Sequence, residues 1–166
     1  MTKPIRIIVA DDHPVVRDGL IAILGTQPDF EIVGKADDGA DALTQVHALQ
    51  PDVLLLDLEM PTLDGVETLR QLKTEGAAVR VIVFTAFDTD DRIVSAVQNG
   101  AQGYLLKGAP RDEIFNAIRV VHAGGSLLQP VVASKLLWPP SCCAACRPGR
   151  NPPQNPSHRA KPKYCI

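Results

Sequence analysis

Apolar residues fall along the first 125 positions in two alternating patterns, a short unbroken run followed by a longer stretch at helical spacing. Ile5 to Ala10 (IRIIVA) is a β-branched run, and after it Val15, Leu20, Ile23 and Leu24 recur at near-helical spacing until Gly25. The pair predicts a strand and a helix, with Pro14 in the helix's first turn, where its missing N–H costs nothing. Phe30 to Ala36 predicts a second strand, interrupted by Gly34. Asp38-Gly39 then turns into a helix that carries Ala42, Leu43, Val46 and Leu49 and stops at Pro51. Val53-Leu54-Leu55-Leu56 has no polar position at all, the pattern of a central strand buried on both faces, and it halts at Asp57. A third helix carries Val66, Leu69 and Leu72, and Val79 to Phe84 predicts a fourth strand ending at Thr85. Asp88 to Asp91 offer acidic caps to a helix with Ile93, Val94 and Val97, closed by Asn99-Gly100. Gly103 to Leu106 predicts a short fifth strand that ends at Lys107. Pro110 opens a last helix through Ile114, Ile118 and Val121, which runs out at Gly124-Gly125. Strict alternation with short connections predicts an α/β fold, a doubly wound parallel sheet of five strands with helices on both faces.

The polar residues that stop the strands are the candidate chemistry. Asp11-Asp12 follow the first strand, Asp57 the third, Thr85 the fourth and Lys107 the fifth. In a parallel sheet these carboxyl ends share one edge, the crevice where such folds bind ligands. Each residue alone has a plainer reading: Asp as turn former, Thr as a β-branched strand residue, Lys as a solvated loop charge. Five such positions at the same ends of four strands are hard to obtain from turn chemistry. Three carboxylates brought together repel one another, and one lysine does not balance them. A hard divalent ion that keeps several waters and takes one or two carboxylates fits the remainder, and Mg²⁺ is the natural choice. Mg²⁺ held by carboxylates usually works with phosphate, which Thr85 could hydrogen-bond and Lys107 neutralise. Asp57 is then a carboxylate nucleophile able to form an aspartyl phosphate.

These residues carry a family resemblance. Ala10-Asp11-Asp12-His13-Pro14, Asp57-Leu58-Glu59-Met60-Pro61 with Asp64-Gly65, Thr85-Ala86 and Gly103-Tyr104-Leu105-Leu106-Lys107 closely resemble the receiver domain of bacterial two-component response regulators. DDHPVVRDGL and GAQGYLLKGA are most similar to the NarL/FixJ (LuxR-type) branch. The resemblance implies a flavodoxin-like strand order of 2-1-3-4-5. It implies that Asp57 accepts phosphate from a sensor histidine kinase, that Asp12 binds Mg²⁺ directly with Asp11 nearby, and that Glu59 offers its backbone carbonyl. Thr85 and Lys107 would read the phosphoryl group, and Tyr104 occupies the place of an aromatic that changes rotamer with the threonine; a half-buried strand aromatic is its plainer reading. It further implies a signalling protein rather than an enzyme, a possible homodimer or pairing with a related response regulator, and transcriptional output. A metal-dependent phosphatase using the same acidic edge is the alternative. It would call for a second acid near Asp57, where Leu58 and Glu59 stand. An FMN-binding flavodoxin would want a Ser/Thr-rich loop where His13-Pro14-Val15-Val16 stands.

Composition adds a boundary near Trp138. Residues 1–137 carry 12 basic and all 19 acidic residues, whereas the last 29 carry five basic residues, no acid, all four cysteines and seven of fourteen prolines. The expected organisation is a receiver domain over 1–125, a linker with a short extended piece and a helix over 126–137, and a disordered Pro/Cys-rich tail over 138–166. Members of the NarL-type branch usually add a helix-turn-helix domain, and no such pattern is visible in this tail, which a changed reading frame or a truncated gene would produce. Cys143 and Cys146 have the spacing of half a zinc site, with Cys142, His158 and Cys165 as candidate further ligands, but no second close pair exists. The tail's charge supports nonspecific, salt-sensitive nucleic-acid contact at most. No run approaches the roughly 18 apolar residues of a membrane span, and no signal peptide is visible, so a cytoplasmic protein without membrane partners is expected.

Overall fold

The structure is a computed structural model, and it describes residues 3–86 and 89–128. The chain alternates strand and helix: β1 (Ile5–Ala10), α1 (Pro14–Leu24), β2 (Phe30–Ala36), α2 (Gly39–Leu49), β3 (Val53–Leu56), α3 (Gly65–Glu75), β4 (Arg80–Thr85), α4 (Asp90–Gln98), β5 (Gly103–Leu106), α5 (Arg111–His122) and β6 (Leu127–Leu128). All strands are parallel, in the order β2-β1-β3-β4-β5-β6. The unbroken apolar strand β3 lies between β1 and β4, and every one of its residues is buried.

Period-two alternation divides the core between the two faces of the sheet. Ile7, Val9, Leu55, Ile82, Phe84 and Leu105 pack with Leu20 and Leu24 of α1 and Ile114, Ile118 and Val121 of α5. Ile8, Leu54, Leu56, Val81, Val83 and Tyr104 pack with residues of α2, α3 and α4, including Val46, Leu69, Leu72 and Ile93. Burying this branched aliphatic core removes the apolar surface from water and drives folding.

The sheet has six strands where five were expected. Leu127 and Leu128 extend it beside β5, with Leu127 N–H and the Ser126 hydroxyl both donating to the Gln102 carbonyl, at 3.0 and 2.9 Å. Two residues are too short to carry a periodic signal, so the sheet continues past Gly125 without a warning in the pattern. Pro110 stands at the N-cap of α5, where the sequence has that helix open, whereas the start of α4 differs. At α4 the N-cap is Thr89, with no side-chain capping bond, so Asp91 lies within the first turn rather than capping it. Genuine side-chain caps occur at Asp38 and Asp64, which accept from the N–H groups of Asp41 and Glu67 at 2.8 Å. The expected helix within 126–137 and the cysteine-rich tail, with its half zinc site, lie outside the described residues.

Candidate functional site

The register of the sheet sets the site. Ala10 pairs with Leu56, so Asp11 and Asp57 leave β1 and β3 at the same level. Leu56 pairs with Val83 and Thr85 with Leu106, which brings Thr85 and Lys107 to the same edge. Backbone bonds hold these strand ends together: Asp57 N–H donates to Ala10 O at 2.9 Å, Asp11 N–H to Ala36 O at 3.1 Å and Lys107 N–H to Thr85 O at 2.8 Å.

Asp11 and Asp57 are buried, at 1% and 3% exposure, so their charges need compensation. Lys107 supplies part of it. Its side chain reaches from the end of β5 past β4, placing Nζ 2.7 Å from Asp57 Oδ2 and 2.7 Å from Asp11 Oδ2. Burial disfavours the charged ammonium, but the Asp11 and Asp57 carboxylates outweigh that cost and raise the Lys107 pKa above its ordinary value. Asp57 Oδ1 accepts from Glu59 N–H at 3.3 Å, and Asp11 Oδ1 accepts from His13 N–H at 2.8 Å.

Asp12 is the more open acid of the pair. Its Oδ1 lies 2.7 Å from His13 Nδ1. Together Asp11, Asp12, His13 and Asp57 offer ligand atoms that all lie within 4.8 Å of one another. Asp11 Oδ2 and Asp12 Oδ1 are buried, with Lys107 Nζ and His13 Nδ1 as their respective close contacts, each at 2.7 Å. Three carboxylates converging around one ammonium leave negative charge uncompensated, which is the setting of a hard divalent cation, so these residues fit a Mg²⁺ ion.

The remaining expected residues fall as follows. Thr85 is fully buried as the last residue of β4. Tyr104 is fully buried rather than half-buried, in the cluster that includes Val83, Ile93 and Ala96. The Glu59 side chain lies 3.3 Å from Arg92 of α4, which ties the loop after β3 to that helix.

Two supporting residues, Arg17 and Thr62, escaped the sequence reading, and a third, Gly65, entered it only as part of a motif. Arg17 of α1 is buried, donates from Nη1 to the Asp11 carbonyl at 2.8 Å and pairs with Asp37, clamping the loop that carries the acid pair. Its only signal was a cation on the apolar side of a helix. Gly65 packs so tightly beneath the loop after β3 that a Cβ there would lie 2.2 Å from the Asp57 carbonyl oxygen. Thr62, in the same loop, has φ +68°. The Asp64-Gly65 pair hinted at a turn, but nothing in the sequence marks Thr62 as left-handed.

Comparison with known proteins agrees with this geometry. Residues 7–119 match the response regulator receiver domain. The chain is 41% identical to the transcriptional regulatory protein LiaR of Bacillus subtilis (strain 168) over 80% of its own length and 63% of LiaR. It is 35% identical to the nitrate/nitrite response regulator protein NarL of Escherichia coli (strain K12), covering 81% of this chain and 64% of NarL. It therefore spans under two thirds of the length of these curated relatives. Among solved structures, the signal receiver domain of the response regulator NarL from Mycobacterium tuberculosis superposes with a TM-score of 0.72 at 37% identity, over 74% of this chain and 99% of that one. With the acid pair, the buried Asp57 and Lys107 on one edge of the sheet, the chain belongs to the response regulator receiver domain family, in its NarL/LuxR branch.

Proposed function

We propose that this chain is the phosphoacceptor switch of a two-component phosphorelay, taking a phosphoryl group from a sensor histidine kinase onto Asp57. The observation that carries this reading is the buried Asp57 carboxylate, held 2.7 Å from the Lys107 ammonium and clustered with the carboxylates of Asp11 and Asp12. An Asp57 oxygen attacks the phosphorus of the donor phosphohistidine. The new O–P bond forms as the P–N bond breaks, and the departing imidazole takes up a proton. Mg²⁺, held by Asp11, Asp12 and Asp57 with the Glu59 backbone carbonyl, would supply the positive charge that the phosphoryl oxygens require.

Lys107 moves from the carboxylates to a phosphoryl oxygen, and the Thr85 hydroxyl donates to another. The phosphate adds about −1.5 to −2 charge at this edge, which biases β5 and α4 between two packings. Tyr104, buried on β5 in the cluster that includes Val83 and the α4 residues Ile93 and Ala96, is the residue expected to report the change. The output is a change of surface rather than turnover, in a cytoplasmic protein that pairs with itself or a related response regulator. Residues 1–125 form the receiver unit in this reading, followed by the 126–137 linker and the 138–166 tail. DNA contact and transcriptional output are the expected role of the branch's transcriptional regulators.

The test is intact-mass analysis after incubation with acetyl phosphate. One phosphate per chain is expected with Mg²⁺, none with a chelator and none in Asp57→Asn. Steady multiple turnover of a small phosphate ester, lost in Asp57→Asn, would instead favour a phosphatase.

A further inference from the structure

Immediately after α5 the chain turns back to the sheet, through two positions that glycine alone takes without strain. Gly124 has φ +91°. Gly125 N–H donates to Val120 O at 2.9 Å, and a Cβ at Gly125 would lie 2.8 Å from Val120 Cγ1 and 3.0 Å from that carbonyl oxygen. Residues 126–128 then run along the outer edge of β5, with Leu127 opposite Gly103 and Leu128 opposite Tyr104. Gln102 holds the junction. Its carbonyl accepts from Leu127 N–H and from the Ser126 hydroxyl, while its side-chain Oε1 accepts from Val81 N–H of β4 at 2.7 Å. Leu127 packs on the core layer of α1 and α5, and Leu128 on the layer that contains Tyr104 and Ile93. Both leucines stay partly exposed, so this is a short contact of the kind that opens locally while the core stays closed.

We propose that residues 126–128 are a detachable strap on β5, docked while Asp57 is unmodified and loosened when Asp57 carries a phosphoryl group. The inference rests on the phosphoacceptor reading and deepens it by naming the segment that the switch releases. β5 is four residues long, about 13 Å at the rise of a strand, and it joins the two places directly. Lys107 at its end is pinned 2.7 Å from both Asp11 and Asp57, and Tyr104, three residues back, is the pairing partner of Leu128. The docked strap therefore accompanies the packing in which Lys107 holds the two carboxylates. Phosphate draws Lys107 onto a phosphoryl oxygen and biases β5 and α4 toward another packing. Leu128 is seated on a cluster shaped by Tyr104, Val83 and Ile93 in the first packing, and close-packed layers switch between discrete arrangements, so the second packing takes away the surface that Leu128 fits. Linkage makes the effect reciprocal: a chain whose strap is undocked must bind a phosphoryl mimic more tightly.

Hydrogen exchange of the full chain, read by mass spectrometry over residues 126–128 in Mg²⁺ with and without beryllofluoride, tests this. Beryllofluoride is a non-covalent phosphoryl mimic, and its binding is followed separately by a ¹⁹F resonance that Asp57→Asn should lack. In Mg²⁺ alone the segment should exchange more slowly than an unstructured peptide of the same sequence. Bound beryllofluoride should speed that exchange about fivefold or more, the low end of ordinary coupling between two sites. Leu128→Asp should lose the protection without the mimic, keep the slow exchange of β3 that marks an intact core, and bind beryllofluoride more tightly by a like factor. A segment unprotected in Mg²⁺ alone, or equally protected with the mimic bound, overturns the strap and leaves Asp57 standing as phosphoacceptor. Unchanged affinity in Leu128→Asp with its core intact does the same. Beryllofluoride that fails to bind the wild-type chain, or binds Asp57→Asn equally well, overturns both readings.

Discussion

At the scale of single residues, Lys107 shows how the site balances its charges. Burial works against its ammonium, yet the carboxylates of Asp11 and Asp57 more than compensate, so the folded-state pKa lies above the ordinary 10.5. A group whose pKa rises on folding contributes stability that is complete below its unfolded value and fades as pH climbs through the folded one. The stability difference between wild type and Lys107→Met, from urea denaturation, should therefore be level from neutral pH to about 10 and shrink only above 10.5. A difference already shrinking between pH 7 and 9 would mean that the ammonium is not paired as the structure has it. Thr62 gives a second test. Its φ of +68° is an outlier for a β-branched side chain, and asparagine tolerates that region far better. Thr62→Asn is expected to raise stability by about 0.5–1 kcal/mol, seen as a higher urea midpoint at unchanged slope. Lys107, Asp57 and the acid pair were legible in the sequence because each interrupts an apolar run. Arg17 was not, since its role depends on how α1 is turned against the acid loop, and no spacing rule encodes that rotation.

At the scale of elements, the site depends on how closely the loop after β3 approaches the helix that follows it. Gly65 N–H donates to Leu58 O at 3.0 Å, and a Cβ at Gly65 would meet the Asp57 carbonyl oxygen at 2.2 Å and Leu58 Cα at 2.8 Å. Both obstacles are backbone, which cannot swing aside as a side-chain tip can. Gly65→Ala is expected to cost about 1–3 kcal/mol. Because the displaced backbone carries Asp57, the rate of acetyl phosphate labelling should fall as well. Unchanged stability and labelling would show that the loop has slack that the structure lacks. Strands β1 to β5 were readable to within a residue because apolar runs end abruptly at Asp, Thr or Lys. The caps were less readable: Asp88 to Asp91 look like a capping cluster, yet Thr89 takes the N-cap of α4 without a side-chain bond. An acidic run offers several equivalent starting points, and the packing of Ile93 and Ala96 against the sheet selects among them.

At the scale of the whole molecule, two apolar layers hold a sheet whose carboxyl edge collects charge, and the fold follows from alternation alone. What alternation does not show is how far the sheet extends. Leu127 and Leu128 add a sixth strand through backbone pairing with β5, a contact formed by chain direction rather than by a periodic pattern. Among the described residues, no helix is long and apolar enough to cross a membrane. The register of β1, β3, β4 and β5 makes one carboxylate the meeting point of the edge, and the chemistry assigned to the chain depends on that residue being the one modified. Borohydride reduction after acetyl phosphate treatment converts an aspartyl phosphate to homoserine, and peptide mass spectrometry then locates it. The expected result is homoserine at position 57 alone, in a Mg²⁺-dependent reaction. Homoserine at another acidic position, or none while the protein still takes up phosphate, would contradict the assignment of Asp57 as the phosphoacceptor.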